Sequence, residues 1–149
     1  MKRRRLRVFL DTSALVAGIA SSKGAARAVL QLAEAGVIEL YVSRQVLVEA
    51  DRTVEAKLPE MTADFREFMK TLPLVYVDDP SLEEIKKRFH LIHINDAPIL
   101  TAAILAGVDY LVTWDARHLI KTKIKTDTVM KIVTPGEFLF DFRSFIDEG

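Results

Sequence analysis

The chain has 149 residues, half of them hydrophobic, which suits one domain over 1–149 with a sizeable core and excludes disorder as a reading of the whole. It has no cysteine, which excludes a disulfide scaffold, a thiolate zinc site and a cysteine nucleophile, and is compatible with a reducing, cytoplasmic setting. Its 21 basic and 21 acidic residues cancel, so a nucleic-acid partner has to be held by a local basic patch and not by overall charge.

The apolar stretch behind the basic N-terminus is short and broken by Arg7 and Asp11, so neither a signal peptide nor a membrane span is expected. Residues 6–10 read as a buried strand, and Asp11 falls at its carboxyl end, where open α/β sheets place their ligand sites. Residues 14–19 are small and apolar, and Ser21-Ser22-Lys23-Gly24 interrupts them. Helical spacing over 25–35 ends at Gly36, and a second strand over 37–42 leads to Ser43, a plausible cap for a helix carrying Val46, Leu47, Glu49, Ala50 and Val54. Pro59 closes that helix. A further helix is expected over 62–72 and a third strand over 74–77.

Ser81 and Glu84 form a capping-box pattern, residues 90–94 are ambiguous, and Asn95-Asp96-Ala97-Pro98 opens an apolar helix that Gly107 stops. A fourth strand over 110–114 delivers Asp115 as the first delivers Asp11. Lys121, Lys123 and Lys125 mark a basic exposed segment. A short strand over 129–133 precedes Pro135-Gly136 and a last helix with Phe138, Leu139, Phe142 and Phe145. Strands alternating with helices predict an α/β fold with a mostly parallel central sheet covered on both faces.

Asp11 and Asp115 follow strands, Glu49 lies early in a helix and Asp96 at a helix start, so parallel neighbours would bring all four acids to one end of the sheet. At an effective dielectric near 20, one like-charge pair about 4 Å apart costs on the order of 4 kcal/mol. Hard divalent cations relieve this repulsion, and oxygen-only ligands without Cys or paired His favour Mg²⁺ or Mn²⁺ over Zn²⁺. Each acid also has a plainer reading: Asp96 as a helix cap, Glu49 as a solvated helix residue, Asp115 as a cap for a short helix over 116–120. Asp11 is the hardest to explain as structural, because it ends a buried strand.

Val8-Phe9-Leu10-Asp11-Thr12-Ser13, the stretch 43–49, Asn95-Asp96-Ala97 leading into Ala102-Ala103, and Val112-Thr113-Trp114-Asp115 resemble, in order and spacing, the motifs of the PIN-domain nucleases. The resemblance implies a three-layer α/β/α sandwich and a Mg²⁺- or Mn²⁺-dependent nuclease acting on single-stranded or structured RNA. By position, Asp11, Glu49, Asp96 and Asp115 match the family's acidic, metal-binding cluster. Thr113 matches its hydroxyl residue beside the last acid, and Ser13 is placed to help hold a metal-bound water. Many small members are VapC-type toxins restrained by an antitoxin protein, and many are homodimers, so both partners are implied. Several relatives carry a further acid after the fourth, where this chain has Ala116-Arg117-His118, which implies a weaker second-metal site and leaves room for a catalytically silent module that binds RNA or protein.

Asp11-Thr12-Ser13 also invites comparison with haloacid-dehalogenase-like phosphatases, but their Asp-x-Asp has Ser13 here at its third position. His90 and His93 lack further ligands for a zinc site, and no phosphate loop, dinucleotide turn or nucleophile elbow is present. Arg44 and Arg117 lie nearest the acids among the candidate phosphate contacts, which also include the basic residues of 2–5, His118 and the lysines of 121–125; taken singly each is more often plain surface, and only a set clustered beside the acids carries weight. The Phe-rich tail divides between core and a dimer or partner surface.

Overall fold

The computed structural model describes residues 4–89, 96–117, 119 and 130–148. Its strands are β1 (Leu6–Leu10), β2 (Ile38–Ser43), β3 (Leu74–Val77), β4 (Tyr110–Val112) and β5 (Lys131–Val133), all paired parallel in the order β3-β2-β1-β4-β5. The central strand β1 has Val8, Phe9 and Leu10 almost wholly out of water, as expected for a strand with neighbours on both edges and helices on both faces.

The helices are α1 (Thr12–Ala20), α2 (Ala25–Glu34), α3 (Arg44–Lys57), α4 (Thr62–Thr71), α5 (Leu82–Arg88), α6 (Ala97–Ala106) and α7 (Pro135–Asp147). One set (α1 with α2 and α3, α2 with α7, α3 with α4) packs together, and α5 packs on α6. Right-handed crossovers put the connections leading from β1 outward to β3 on one face of the sheet, and the β3-to-β4 connection, which runs the other way, on the opposite face. The result is the expected three-layer α/β/α sandwich.

Three departures from the sequence reading have local causes. Residues 14–19 belong to α1, an apolar helix whose Ala14, Leu15, Gly18 and Ile19 are buried. β4 stops at Val112, because the Trp114 N–H turns to the Ser13 hydroxyl. Helix α3 ends at Lys57, and Pro59 opens a 3₁₀ turn (Pro59–Met61). The calls at 90–94 and 121–125, and those on Lys2, Arg3, His93 and His118, lie outside the described residues.

At the amino-terminal edge of the sheet, Arg4 donates to both oxygens of Asp109 (2.9 and 3.0 Å), and the Arg7 N–H donates to the same carboxylate at 2.8 Å. Arg7 also donates to the Tyr41 hydroxyl at 2.8 Å and the Gly107 carbonyl at 3.1 Å. Gly107 has φ +66°, the left-handed conformation that ends α6. Arg4 and Arg5 therefore lie at the opposite end of the sheet from the acids, so these two candidate phosphate contacts do not cluster with them.

On the far side, the Phe-rich tail divides. Phe138 and Phe142 are core, with Tyr110 edge-on to Phe138 (5.1 Å, 82°), whereas Phe140 is exposed. Tyr110 donates to Asp141 at 3.0 Å, which pins α7 to β4.

Candidate active site at the carboxyl end of the sheet

From β1 the chain proceeds outward through β2 to β3, then returns to β4 on the other side of β1. The strand order thus reverses between β1 and β4, and the crevice beyond their carboxyl ends is where open α/β sheets accommodate ligands. Leu10 pairs with Val112 across that junction, so the residues that follow, Asp11 on one side and Thr113 to Asp115 on the other, face the same crevice.

Asp11 is buried. Its main chain is fixed by an N–H bond to the Val112 carbonyl at 3.2 Å. Its side chain caps α1: Oδ1 accepts from the Ala14 N–H at 3.0 Å and from the Ser13 hydroxyl at 2.8 Å, while Oδ2 accepts from the buried Thr113 hydroxyl. Burial nevertheless pushes the Asp11 carboxyl above its ordinary pKa; Thr113, Ala14 and Ser13 pull the other way, and the negative charge of Asp96 adds to the rise. The capping donors only partly compensate a charge held out of water.

The hydroxyls carry the network onward. Ser13 Oγ lies 3.4 Å from Thr113 Oγ1 and accepts from the Trp114 N–H at 3.1 Å; Thr113 Oγ1 accepts from the Asp115 N–H at 3.0 Å. Ser13, Thr113 and the backbone of Asp115 are thereby locked to Asp11, with the Asp115 side chain exposed at the rim. Glu49 arrives from α3 by a separate route: Oε2 accepts from the Thr12 hydroxyl at 2.8 Å and Oε1 from the Gln45 amide at 2.9 Å. Asp96 occupies the N-cap position of α6 but makes no side-chain capping bond, so the plain reading of this acid as a cap fails.

Arg44 and Arg117 are exposed at the carboxyl end of the sheet, and neither is hydrogen-bonded to these acids among the described residues. Sequence reasoning missed Thr12 and Gln45 as the holders of Glu49, although Gln45 stands four residues before it on the same helix face. It also missed Asp79, whose Oδ1 accepts from the Gln45 N–H at 2.9 Å and helps cap α3. A carboxylate after a strand end is the signal that would have found it.

A donor set of oxygens alone, with a buried carboxylate whose charge is disfavoured and repelled by a second acid, suits a hard divalent cation in chemical kind. In placement, no three His, Cys, Asp or Glu side chains among the described residues are gathered closely enough to hold a metal ion.

The profile of the PIN domain matches residues 7–117. The fold is similar to the crystal structure of PAE2754 from Pyrobaculum aerophilum, at 23% identity and TM-score 0.56 over 83% of this chain and 90% of that one. It is also similar to VapBC2 from Rickettsia felis, solved bound to a DNA fragment from their promoter, at 17% identity and TM-score 0.62 over 85% of this chain and 98% of that one. No match is found among curated proteins.

Proposed function

The chain belongs to the PIN-domain family, and from that premise we propose that it is a Mg²⁺- or Mn²⁺-dependent endoribonuclease. PIN domains are generally nucleases. The observation that carries the reading is Asp11, a buried carboxylate at the sheet's switch point with its pKa raised by burial and by Asp96. A fold keeps such a group at a cost when its charge is used.

In this reading Asp11, Asp96 and Asp115 hold one or two divalent cations, and Glu49 binds metal or orients the attacking water. When bound, the cation supplies charge neutralisation at the phosphate and lowers the pKa of a coordinated water. The protein's own part is positional. Ser13, Thr113 and the Ala14 N–H hold both Asp11 oxygens in one orientation. Thr12 and Gln45 hold Glu49, which in this reading would take the proton that the attacking water gives up. The water oxygen would bond to phosphorus in line as the bond to the leaving ribose oxygen breaks, that oxygen taking up a proton from solvent. Arg44 and Arg117 are the side chains proposed to meet substrate phosphate, and Ser13 is proposed to contact the water or substrate as well as Asp11.

The similarity to a VapBC complex supports a toxin held by an antitoxin protein. Homodimerisation and a cytoplasmic setting belong to the same reading; among the described residues no helix is long and apolar enough to cross a membrane.

One observation favours a second reading. No three acids or histidines among the described residues are gathered for a metal, as suits a silent module that binds RNA or protein. Cleavage of a mixed panel of labelled RNAs, with Mn²⁺, Mg²⁺ or EDTA, separates the two. The nuclease cuts only with metal and loses cutting in Asp11→Asn. The silent module cuts under no condition yet binds RNA or its partner equally well after that substitution.

A further inference from the structure

The chain's single tryptophan stands in the active-site network and has no part in the chemistry above. Trp114 lies between the buried Thr113 and the rim residue Asp115, and its side chain is 53% exposed. An indole with half its surface in water forgoes the burial that large aromatics usually obtain. Its backbone is nonetheless well held: its N–H donates to Ser13 Oγ at 3.1 Å, and that hydroxyl in turn donates to Asp11 at 2.8 Å. The exposed ring is thus carried on main chain tied to the buried acid.

Trp114 lines an open cavity of about 420 Å³, together with Asp115, Ala116, Arg117, Thr134 and Glu137. Within it, the start of α7 is no anion site, because Thr134 and Glu137 cap each other through both of their N–H groups (2.9 and 3.2 Å). The lining thus combines one aromatic residue and one basic residue, Arg117, with the acids Asp115 and Glu137, the second of which feels the charge of Arg117. That combination suits a neutral ring on the indole with its phosphate led toward Arg117 and away from Glu137.

We propose that Trp114 is a substrate-binding residue whose indole stacks an unpaired base beside the bond to be cut, with Arg117 meeting the adjoining phosphate. The assignment rests on the ribonuclease reading and adds a residue to it: stacking on Trp114 requires an unpaired base, because bases within a helix have both faces occupied by their neighbours.

The lone tryptophan makes the test direct. Its emission is followed as the full chain is titrated, in EDTA, with a single-stranded RNA of about ten nucleotides and with the same strand in duplex. Saturable quenching by the single strand and little by the duplex is expected. In Mn²⁺, Trp114→Ala raises KM about tenfold with kcat less affected, and Trp114→Phe, which keeps a stacking face, recovers most of the loss. Emission unmoved by an RNA that the protein cleaves, or wild-type KM in Trp114→Ala, overturns the assignment and leaves the nuclease reading intact. Equal losses in the alanine and phenylalanine variants overturn it too, because stacking would not distinguish itself from a structural role. Absence of RNA cleavage by the wild-type chain in either metal overturns both.

Discussion

Asp11 sets the stability of its surroundings against their use. Its raised pKa means that the folded chain holds this proton more tightly than the unfolded chain does. Stability attributable to Asp11 therefore falls as pH rises from the ordinary aspartate value through the raised one. Asp11→Asn should leave the melting temperature at pH 7 unchanged or higher while lowering RNA cleavage about a hundredfold or more; thermal melts and a cleavage time course check both halves. Thr113 is the complementary case. Its buried hydroxyl donates to Asp11 and accepts from the Asp115 N–H, so Thr113→Val should cost about 1–3 kcal/mol in urea unfolding and weaken activity, with Thr113→Ser restoring most of both. Thr113 was singled out only through the family resemblance, and the positions of Asp11 and Asp115 were legible in the sequence because each follows an apolar strand. The hold of Thr12 and Gln45 on Glu49 was not, because it depends on how α1 and α3 face one another. Trp114 was read as the end of a strand, and its exposure could not be known before the strand was seen to stop at Val112.

Helices α1 and α6 show what periodicity can and cannot reveal. Both are apolar nearly all round, because each is packed on several sides, and neither shows a polar face against which a 3.6-residue repeat stands out. Helix α6 was legible through its punctuation, with Pro98 in the first turn and Gly107 at the end. Helix α1 was not, because its cap is the carboxylate Asp11, which also marks a strand end. Ser43 and Ser81 cap their helices through their side chains as their sequence patterns imply, and Thr134 caps α7 in the same way. Asp96 does not, a difference invisible in a sequence where Asp is a common cap. At the other side of the sheet, α7 is pinned through Tyr110. Burial, then the bond to Asp141, pushes the Tyr110 hydroxyl up to about 12. The unfolded chain loses this proton near the ordinary value of 10.0 and the folded chain near 12, so stability should fall as pH rises across that window. Tyr110→Phe should flatten the fall relative to wild type in melts taken at successive alkaline pH values.

The whole molecule is organised by the strand order β3-β2-β1-β4-β5, which no local pattern encodes. The alternation of strands and helices gave the class of fold, and the acids after β1 and β4 suggested a shared end of the sheet. Only the pairing of β1 with β4 puts the reversal of strand order between those two acids. Arg4, a candidate phosphate contact by its charge alone, precedes β1 while Asp11 follows it, so a strand's length separates the two. The central claim is that the crevice at this reversal is a seat for a divalent cation and that Asp11 is its anchor. Such a cation binds the folded state and raises the melting temperature by mass action. The most direct measurement is the melting temperature of wild type and Asp11→Asn across a Mn²⁺ titration at pH 7. A saturable rise in wild type that is absent in Asp11→Asn is predicted; no rise in either, or an equal rise in both, would contradict the claim.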